Sequence, residues 1–129
     1  MILDVGTDIV DIKRFKASVK KNPKILERLF TKKERERVAR LSEVKKMPYY
    51  AKRFAAKEAI AKACETGIGA SVNWQDIEIL NDKSGNPFVV LSKEAQQFLE
   101  KKFKSKSIHV FLSLTDEKDY AMAFVILTT

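Results

Sequence analysis

The stretch Arg53-Phe-Ala-Ala-Lys57-Glu58-Ala-Ile-Ala-Lys62-Ala63 decides how the rest of the chain is read. Alanine is the best helix former, and Gly67 supplies a stop, so the pattern predicts one long helix from near Pro48 to Thr66. Ala51, Ala55, Ala56, Ala59, Ala61 and Ala63 leave it bare on several sides, which lets neighbours approach closely and puts it at the centre of the fold, against a sheet. At helical spacing Phe54, Glu58 and Lys62 share one face. Glu58 is therefore a carboxylate wedged among cations, with an intrahelical pair to Lys62 as its plainest reading.

Working outward, residues 2 to 12 read as a strand broken by Gly6, with Asp4, Gly6 and Asp8 on one side and Leu3, Val5, Thr7 and Ile9 on the other. Asp8 then lies on a polar or cleft-facing side, as a turn or helix-cap carboxylate or as half of a pair holding a hard cation. Ile12, Phe15 and Val19 recur at helical spacing. Asn22-Pro23 reads as a cap and first residue of a short helix with Ile25, Leu26 and Leu29 inward. Thr31-Lys-Lys-Glu34 is a capping box opening a third helix to about Leu41. The second half is mostly strand, at 76–80 and 88–91 around a turn, and at 109–115 and 120–127 around Asp116-Glu-Lys-Asp119. Between these pairs Ser92 caps a helix with Ala95, Phe98, Leu99 and Phe103 inward. The sum is an α+β fold in one domain, 1–129: an antiparallel sheet on a long Ala-rich helix, with the other helices mainly in the first half.

Composition narrows the function. Lys+Arg of 25 against Asp+Glu of 17 gives +8, which favours an anionic partner. The single cysteine, Cys64, excludes an internal disulfide, suits a reducing cytoplasm, and reads as buried filler on an apolar helix face. No apolar run is long enough to cross a bilayer, and Met1 leads straight into a strand, so neither secretion nor a membrane span is expected.

Seven motifs stand in order along the chain: Gly6-Thr-Asp8-Ile-Val-Asp-Ile12, Phe30-Thr31-x-x-Glu34, Arg53 to Ala63, Gly67-Ile-Gly69, Asp76-Ile-Glu-Ile79, Asn81-Asp82-x-x-Gly85-x-Pro87, and His109-Val-x-x-Ser113-x-Thr115. In kind and spacing they resemble the holo-acyl-carrier-protein synthase family of 4′-phosphopantetheinyl transferases. The resemblance implies the phosphopantetheinyl transferase fold and transfer of the phosphopantetheine arm of coenzyme A to a serine of an apo acyl carrier protein, releasing adenosine 3′,5′-bisphosphate for fatty acid and lipid biosynthesis. It implies Asp8 and Glu58 as ligands of Mg²⁺ bound with the coenzyme A pyrophosphate. Two carboxylates without a His or Cys cluster suit that hard ion, which takes one or two protein carboxylates and fills its shell with water and phosphate. Glu58 is the candidate general base, directly or through a water on the metal, and Lys62 the candidate group for steadying transition-state charge and holding a phosphate oxygen.

For coenzyme A itself the candidates are Arg53, whose guanidinium can grip two oxygens, with Lys62, Asn86, Pro87, Ser113 and Thr115. Lys57 faces some way round from Glu58. The last motif departs from the family pattern His-Val-Ser-Ile-Ser-His-Thr, since Phe111 replaces a serine and Leu114 the second histidine. Whatever contact that histidine makes does not carry over. The remaining His109 reads as a sheet residue.

Between Lys13 and Arg40 stand twelve Lys/Arg against three Asp/Glu. Acyl carrier proteins are strongly acidic and dock on the first helix in the family, which makes Arg14 the leading anchor, with Lys13, Lys20, Lys21 and Lys24 as helpers. The competing reading is a non-catalytic basic module that binds nucleic acid, but no aromatic-interleaved motif or recognition-helix pair accompanies the charge. Short single-domain members are homotrimers with active sites between subunits, so Asp8 and Glu58 are expected to face Asn86, Ser113 or Thr115 of a neighbour.

Overall fold

Residues 1–129 are all described by a computed structural model. Strand β1 (Ile2–Asp11) leads into α1 (Ile12–Lys21), α2 (Ile25–Leu29), α3 (Lys32–Ala39) and the long helix α4 (Glu43–Ala63). A 3₁₀ turn (Trp74–Asp76) precedes β2 (Ile77–Asn81) and β3 (Pro87–Leu91), then come α5 (Lys93–Lys102), β4 (His109–Asp116) and β5 (Tyr120–Thr128). The strands form two antiparallel sheets, one ordered β1-β5-β4 and one the β2-β3 hairpin. The expected α+β architecture is therefore observed, with α4 laid across β1 and β5.

Small residues on both sides make that packing possible. Ala55, Ala59 and Ala63 of α4 are fully buried, as are Ala121 and Ala123 of β5. Gly6 does not break β1, which runs on through it. Its role is close approach: a Cβ there would fall 2.0 Å from the Ala59 carbonyl oxygen. The other half of the β1 alternation faces away from the helix. Val5 and Ile9 are exposed, and with Phe111 of β4 and Tyr120, Met122 and Phe124 of β5 they give the outer sheet face an apolar surface.

Several boundaries differ from expectation for local reasons. The helix α4 begins five residues before Pro48, its Ser42 carbonyl accepting from Lys45 N at 3.0 Å, and it ends at Ala63 with Gly67 in the left-handed region (φ 64). Asn22 closes α1, its N–H donating to Ser18 O at 3.0 Å, and α2 starts only at Ile25. The Thr31–Glu34 capping box forms as expected, and so does the Ser92 cap.

Glu34 does more than cap. It is buried, accepts from Thr31 N at 2.8 Å, from Ile79 N at 2.9 Å and from Lys57 Nζ at 2.7 Å, and so ties α3, α4 and β2 together. Lys57, with no exposed surface, also donates to Leu29 O (2.8 Å) and Trp74 O (2.9 Å). Burial pulls its pKa below the usual lysine value, an effect that Glu34 offsets only in part. Lys57 is thus a structural ammonium with three acceptors, directed away from Glu58's cleft.

Candidate active site

Asp8 and Glu58 come together from two elements. Asp8 leaves β1 on the helix-facing side, because Gly6 two residues earlier has already fixed which face of the strand meets α4. Glu58 sits one turn after Phe54 on α4, and all three side chains line one cleft of about 520 Å³. Arg14 of α1 and Arg28 of α2 line it too, and Phe15, Phe54 and Trp74 form an aromatic wall. Trp74 stacks on Phe54 with ring centroids 5.2 Å apart.

The plain readings of both carboxylates give way here. Lys62 does not pair with Glu58. Its Nζ reaches across to Asp8 Oδ1 at 2.9 Å and to Thr7 O at 3.1 Å. Asp8 caps no helix, since the residue that caps α1 is Asp11, whose Oδ1 accepts from Arg14 N at 3.0 Å. Glu58 is left without an ion partner. Burial first, and then the negative charge of Asp8, push its carboxyl above the usual range, while Lys62 pulls it partly back. A carboxylate raised in this way by a second carboxylate is a place where added positive charge is favourable. Two carboxylate oxygen donors, with no third His, Cys, Asp or Glu to complete a protein cage, match a hard divalent cation that draws its remaining ligands from water and phosphate.

Four of the six coenzyme A candidates line a separate cleft of about 480 Å³, and Lys62 is not among them. Arg53, Asn86, Pro87 and Ser113 line it together with Lys52, Asn81, Gly85, Leu112 and Leu114. Thr115 lies beyond it, exposed on the same strand face as Ser113 and His109. Arg53 is only 3% exposed: Nη2 donates to Asn81 Oδ1 at 2.7 Å, the guanidinium lies 3.4 Å over the Tyr49 ring, and Nε has no partner. Asn81 in turn accepts from Tyr49 Oη (2.7 Å) and donates to Gly85 O (2.9 Å), so it anchors the loop that presents Asn86 and Pro87.

Asp8, Glu58 and Arg14 therefore meet in one cleft, with Lys62 joined to it through Asp8, whereas Asn86, Pro87, Ser113 and Arg53 meet in another. Of the expected docking residues, Lys13 and Lys20 flank a groove on the other side of α1, beside the start of α4. Lys21 and Lys24 lie at the end of α1 and just before α2. Sequence reading missed Arg28 and Trp74. The first is one basic residue among many, and the second is the only tryptophan, following an irregular loop with no period to place it. Cys64 is buried and its thiol is pushed up to about 12, chiefly by burial, which leaves it unreactive as expected. No helix is long and apolar enough to cross a membrane.

The family model for the 4′-phosphopantetheinyl transferase superfamily matches residues 4–125. A holo-[acyl-carrier-protein] synthase of Shouchella clausii is 39% identical over 129 residues, spanning all of both chains. Another, from Bartonella bacilliformis, is 43% identical over 129 residues, 98% of this chain and 96% of its own. Among solved structures, the holo-[acyl-carrier-protein] synthase of Neisseria meningitidis superposes with a TM-score of 0.89 at 37% identity, all of both chains covered. That of Helicobacter pylori, solved in complex with coenzyme A, superposes with a TM-score of 0.82 at 30% identity, covering 96% of this chain and 99% of its own. The chain belongs to the 4′-phosphopantetheinyl transferase superfamily, alongside its holo-[acyl-carrier-protein] synthases.

Proposed function

We infer that this enzyme moves the 4′-phosphopantetheine arm of coenzyme A onto a serine of an apo acyl carrier protein, with Mg²⁺, and releases adenosine 3′,5′-bisphosphate. The observation that carries the reading is the pair Asp8 and Glu58 in one cleft, Glu58 raised by burial and then by Asp8, with Arg14 of α1 and Arg28 of α2 lining the same cleft.

In the reaction the serine oxygen forms a bond to the β-phosphorus of coenzyme A, and the bond from that phosphorus to the adenosine bisphosphate oxygen breaks. Glu58 takes the serine proton, directly or through a water. Lys62, held near the cleft by Asp8 and the Thr7 carbonyl, turns to a phosphate oxygen and steadies the charge that builds there. Asp8 and Glu58 would hold the Mg²⁺, which supplies charge neutralisation at the phosphoryl oxygens. Arg53 supports the nucleotide end of coenzyme A through the Asn81 loop and its free Nε, and Asn86, Pro87 and Ser113 border that end, with Thr115 beside it.

Arg14 docks the acidic carrier protein at the cleft mouth, with Lys13, Lys20, Lys21 and Lys24 adding attraction at longer range. The apolar outer sheet face supports a homotrimer. Ile9 and Phe111 there are 62% and 60% exposed, and burying them against neighbours would remove that apolar surface from water. The cytoplasm is the compartment we assign, on the single reduced cysteine.

The test is the intact mass of an apo acyl carrier protein incubated with this enzyme, coenzyme A and Mg²⁺. A gain of one phosphopantetheine, abolished by EDTA, is expected. No gain from a folded protein that binds coenzyme A, across several carrier proteins, would sink the assignment.

A further inference from the structure

The helix α2 forms one wall of the first cleft but cannot hold itself in place. It has five residues, too few for a helix to be stable alone, and Lys24 before it offers no side-chain cap. The carbonyls of a helix's last turn have no partner within the helix. Here two side chains from elsewhere satisfy them. Lys57 takes Leu29 O, and Gln75 Nε2 donates to Glu27 O at 2.9 Å, Arg28 O at 3.3 Å and Phe30 O at 2.9 Å. Three facing carbonyls accept only from the nitrogen end of an amide, so this side chain has one orientation there. The 3₁₀ turn that carries Gln75 is itself anchored, because Asp76 accepts from Asn73 N at 2.8 Å and from Ser92 Oγ at 2.7 Å.

Gln75 does not line the cleft, but both elements it joins do. Ile25, Arg28 and Leu29 of α2 face it, and so does Trp74, the residue before Gln75. We propose that Gln75 is a positioning residue for carrier binding: it fastens the Trp74 turn to the last turn of α2, so that Arg28, Leu29 and Trp74 meet the serine-bearing segment of the carrier protein as one preset wall. Without it the C-terminal end of α2 would fray, and the carrier would have to order that end as it binds. The loop with Asn86 and Pro87 lies in the other cleft and shares none of these contacts. The proposal rests on an acyl carrier protein being the acceptor, as argued above.

Trp74 is the only tryptophan, which makes the clasp visible without any substrate. Gln75→Met keeps the length of the side chain and removes its donor. It is expected to shift Trp74 emission to the red and to make it more readily quenched by acrylamide in the folded protein. In steady-state transfer, KM for an apo acyl carrier protein should rise about three- to tenfold, the worth of one hydrogen bond, while KM for coenzyme A and kcat stay within about twofold. Gln75→Lys, whose ammonium can donate to the same carbonyls as Lys57 does to Leu29 O, should restore both signals. An unchanged carrier KM, an equal rise for coenzyme A, wild-type Trp74 emission in Gln75→Met, or no restoration by Gln75→Lys would each overturn the proposal. A wild type that transfers nothing to any carrier would overturn the proposed activity and the carrier's part in this inference, and altered Trp74 emission in Gln75→Met would still assign the clasp to Gln75.

Discussion

Gly6→Ala strikes the contact on which both the fold and the site depend. The added Cβ would sit 2.0 Å from the Ala59 carbonyl oxygen, 3.0 Å from its carbon and 3.1 Å from Ala63 N. A carbon and an oxygen normally meet at about 3.3 Å or more, so strand and helix must part by more than an ångström. All three obstructing atoms are main chain, and no side chain can swing aside. Overpacking a core typically costs about 1–3 kcal/mol, and a clash with helix backbone belongs at the top of that range. For a domain of this size ~3 kcal/mol lowers Tm by about 10 °C, leaving a folded but weakened protein.

The same displacement reaches the chemistry. β1 carries Asp8 and α4 carries Glu58 and Lys62, so the Gly6–Ala59 contact sets the spacing of the proposed reacting groups, and the 2.9 Å Lys62–Asp8 bond would stretch with it. A misplacement of about 1 Å in a reacting constellation costs on the order of a hundredfold in rate. Urea denaturation would measure the first effect, and transfer at saturating substrates, well below the melting transition, the second. Gly69→Ala is the control: nothing lies within 4 Å of its Cβ, and it should stay within about 0.5 kcal/mol of wild type. A Gly6→Ala protein with wild-type Tm would refute the close packing. One that is destabilised yet keeps the wild-type kcat would refute the coupling between packing and catalysis.

Lys57→Met leaves the Glu34 carboxylate buried beside an apolar side chain and should cost about 3–5 kcal/mol in chemical denaturation; a loss below 1 kcal/mol would mean the pair contributes nothing net. Glu58→Gln should abolish transfer yet raise Tm at pH 7.5 in the absence of Mg²⁺, because a carboxyl raised by folding is tolerated while protonated and costs stability as pH rises through its folded value. That gain should vanish towards pH 4, and a gain equal at both pH values would show that charge is not its cause. Phe124→Asp on the outer sheet face should convert the proposed trimer to monomers in sedimentation velocity and remove activity, while circular dichroism stays native. An active monomer would refute a site shared between subunits.

What the sequence disclosed, and what it withheld, follows from the range of each interaction. Local signals were readable: the Thr31–Glu34 box, the Ser92 cap and the alanine-rich helix are each settled within a few residues. Asn22-Pro23 misled because a proline suits the first turn of a helix whether or not the preceding asparagine caps it. Here that asparagine ends α1 instead. Pro48 misled in the same way, since the first turn of α4 had already formed before it. The alternation along β1 separated its two faces but could not say which one meets the helix. That was decided by Gly6, the only residue of the strand bare enough to touch the Ala59 carbonyl, and it turned Val5 and Ile9 outward.

The site divides along the same line. Asp8 and Glu58 could be paired from their residue types and the family spacing, but Lys62 bonding to Asp8 in place of Glu58 depends on how far β1 stands from α4. Of the residues grouped for coenzyme A, Arg53, Asn86, Pro87 and Ser113 meet in a cleft of their own, apart from the carboxylates, while Lys62 and Thr115 lie outside it. A substrate that needs both the reacting carboxylates and the nucleotide loop must span two clefts on one chain or join them across two chains. The outward apolar residues of β1, β4 and β5 favour the second solution, because the requirement that forces Val5 and Ile9 out is the one that places Asp8 beside Glu58. On this argument one glycine both brings the proposed catalytic pair into one cleft and turns outward the apolar surface through which, in the proposed trimer, a neighbour completes the site.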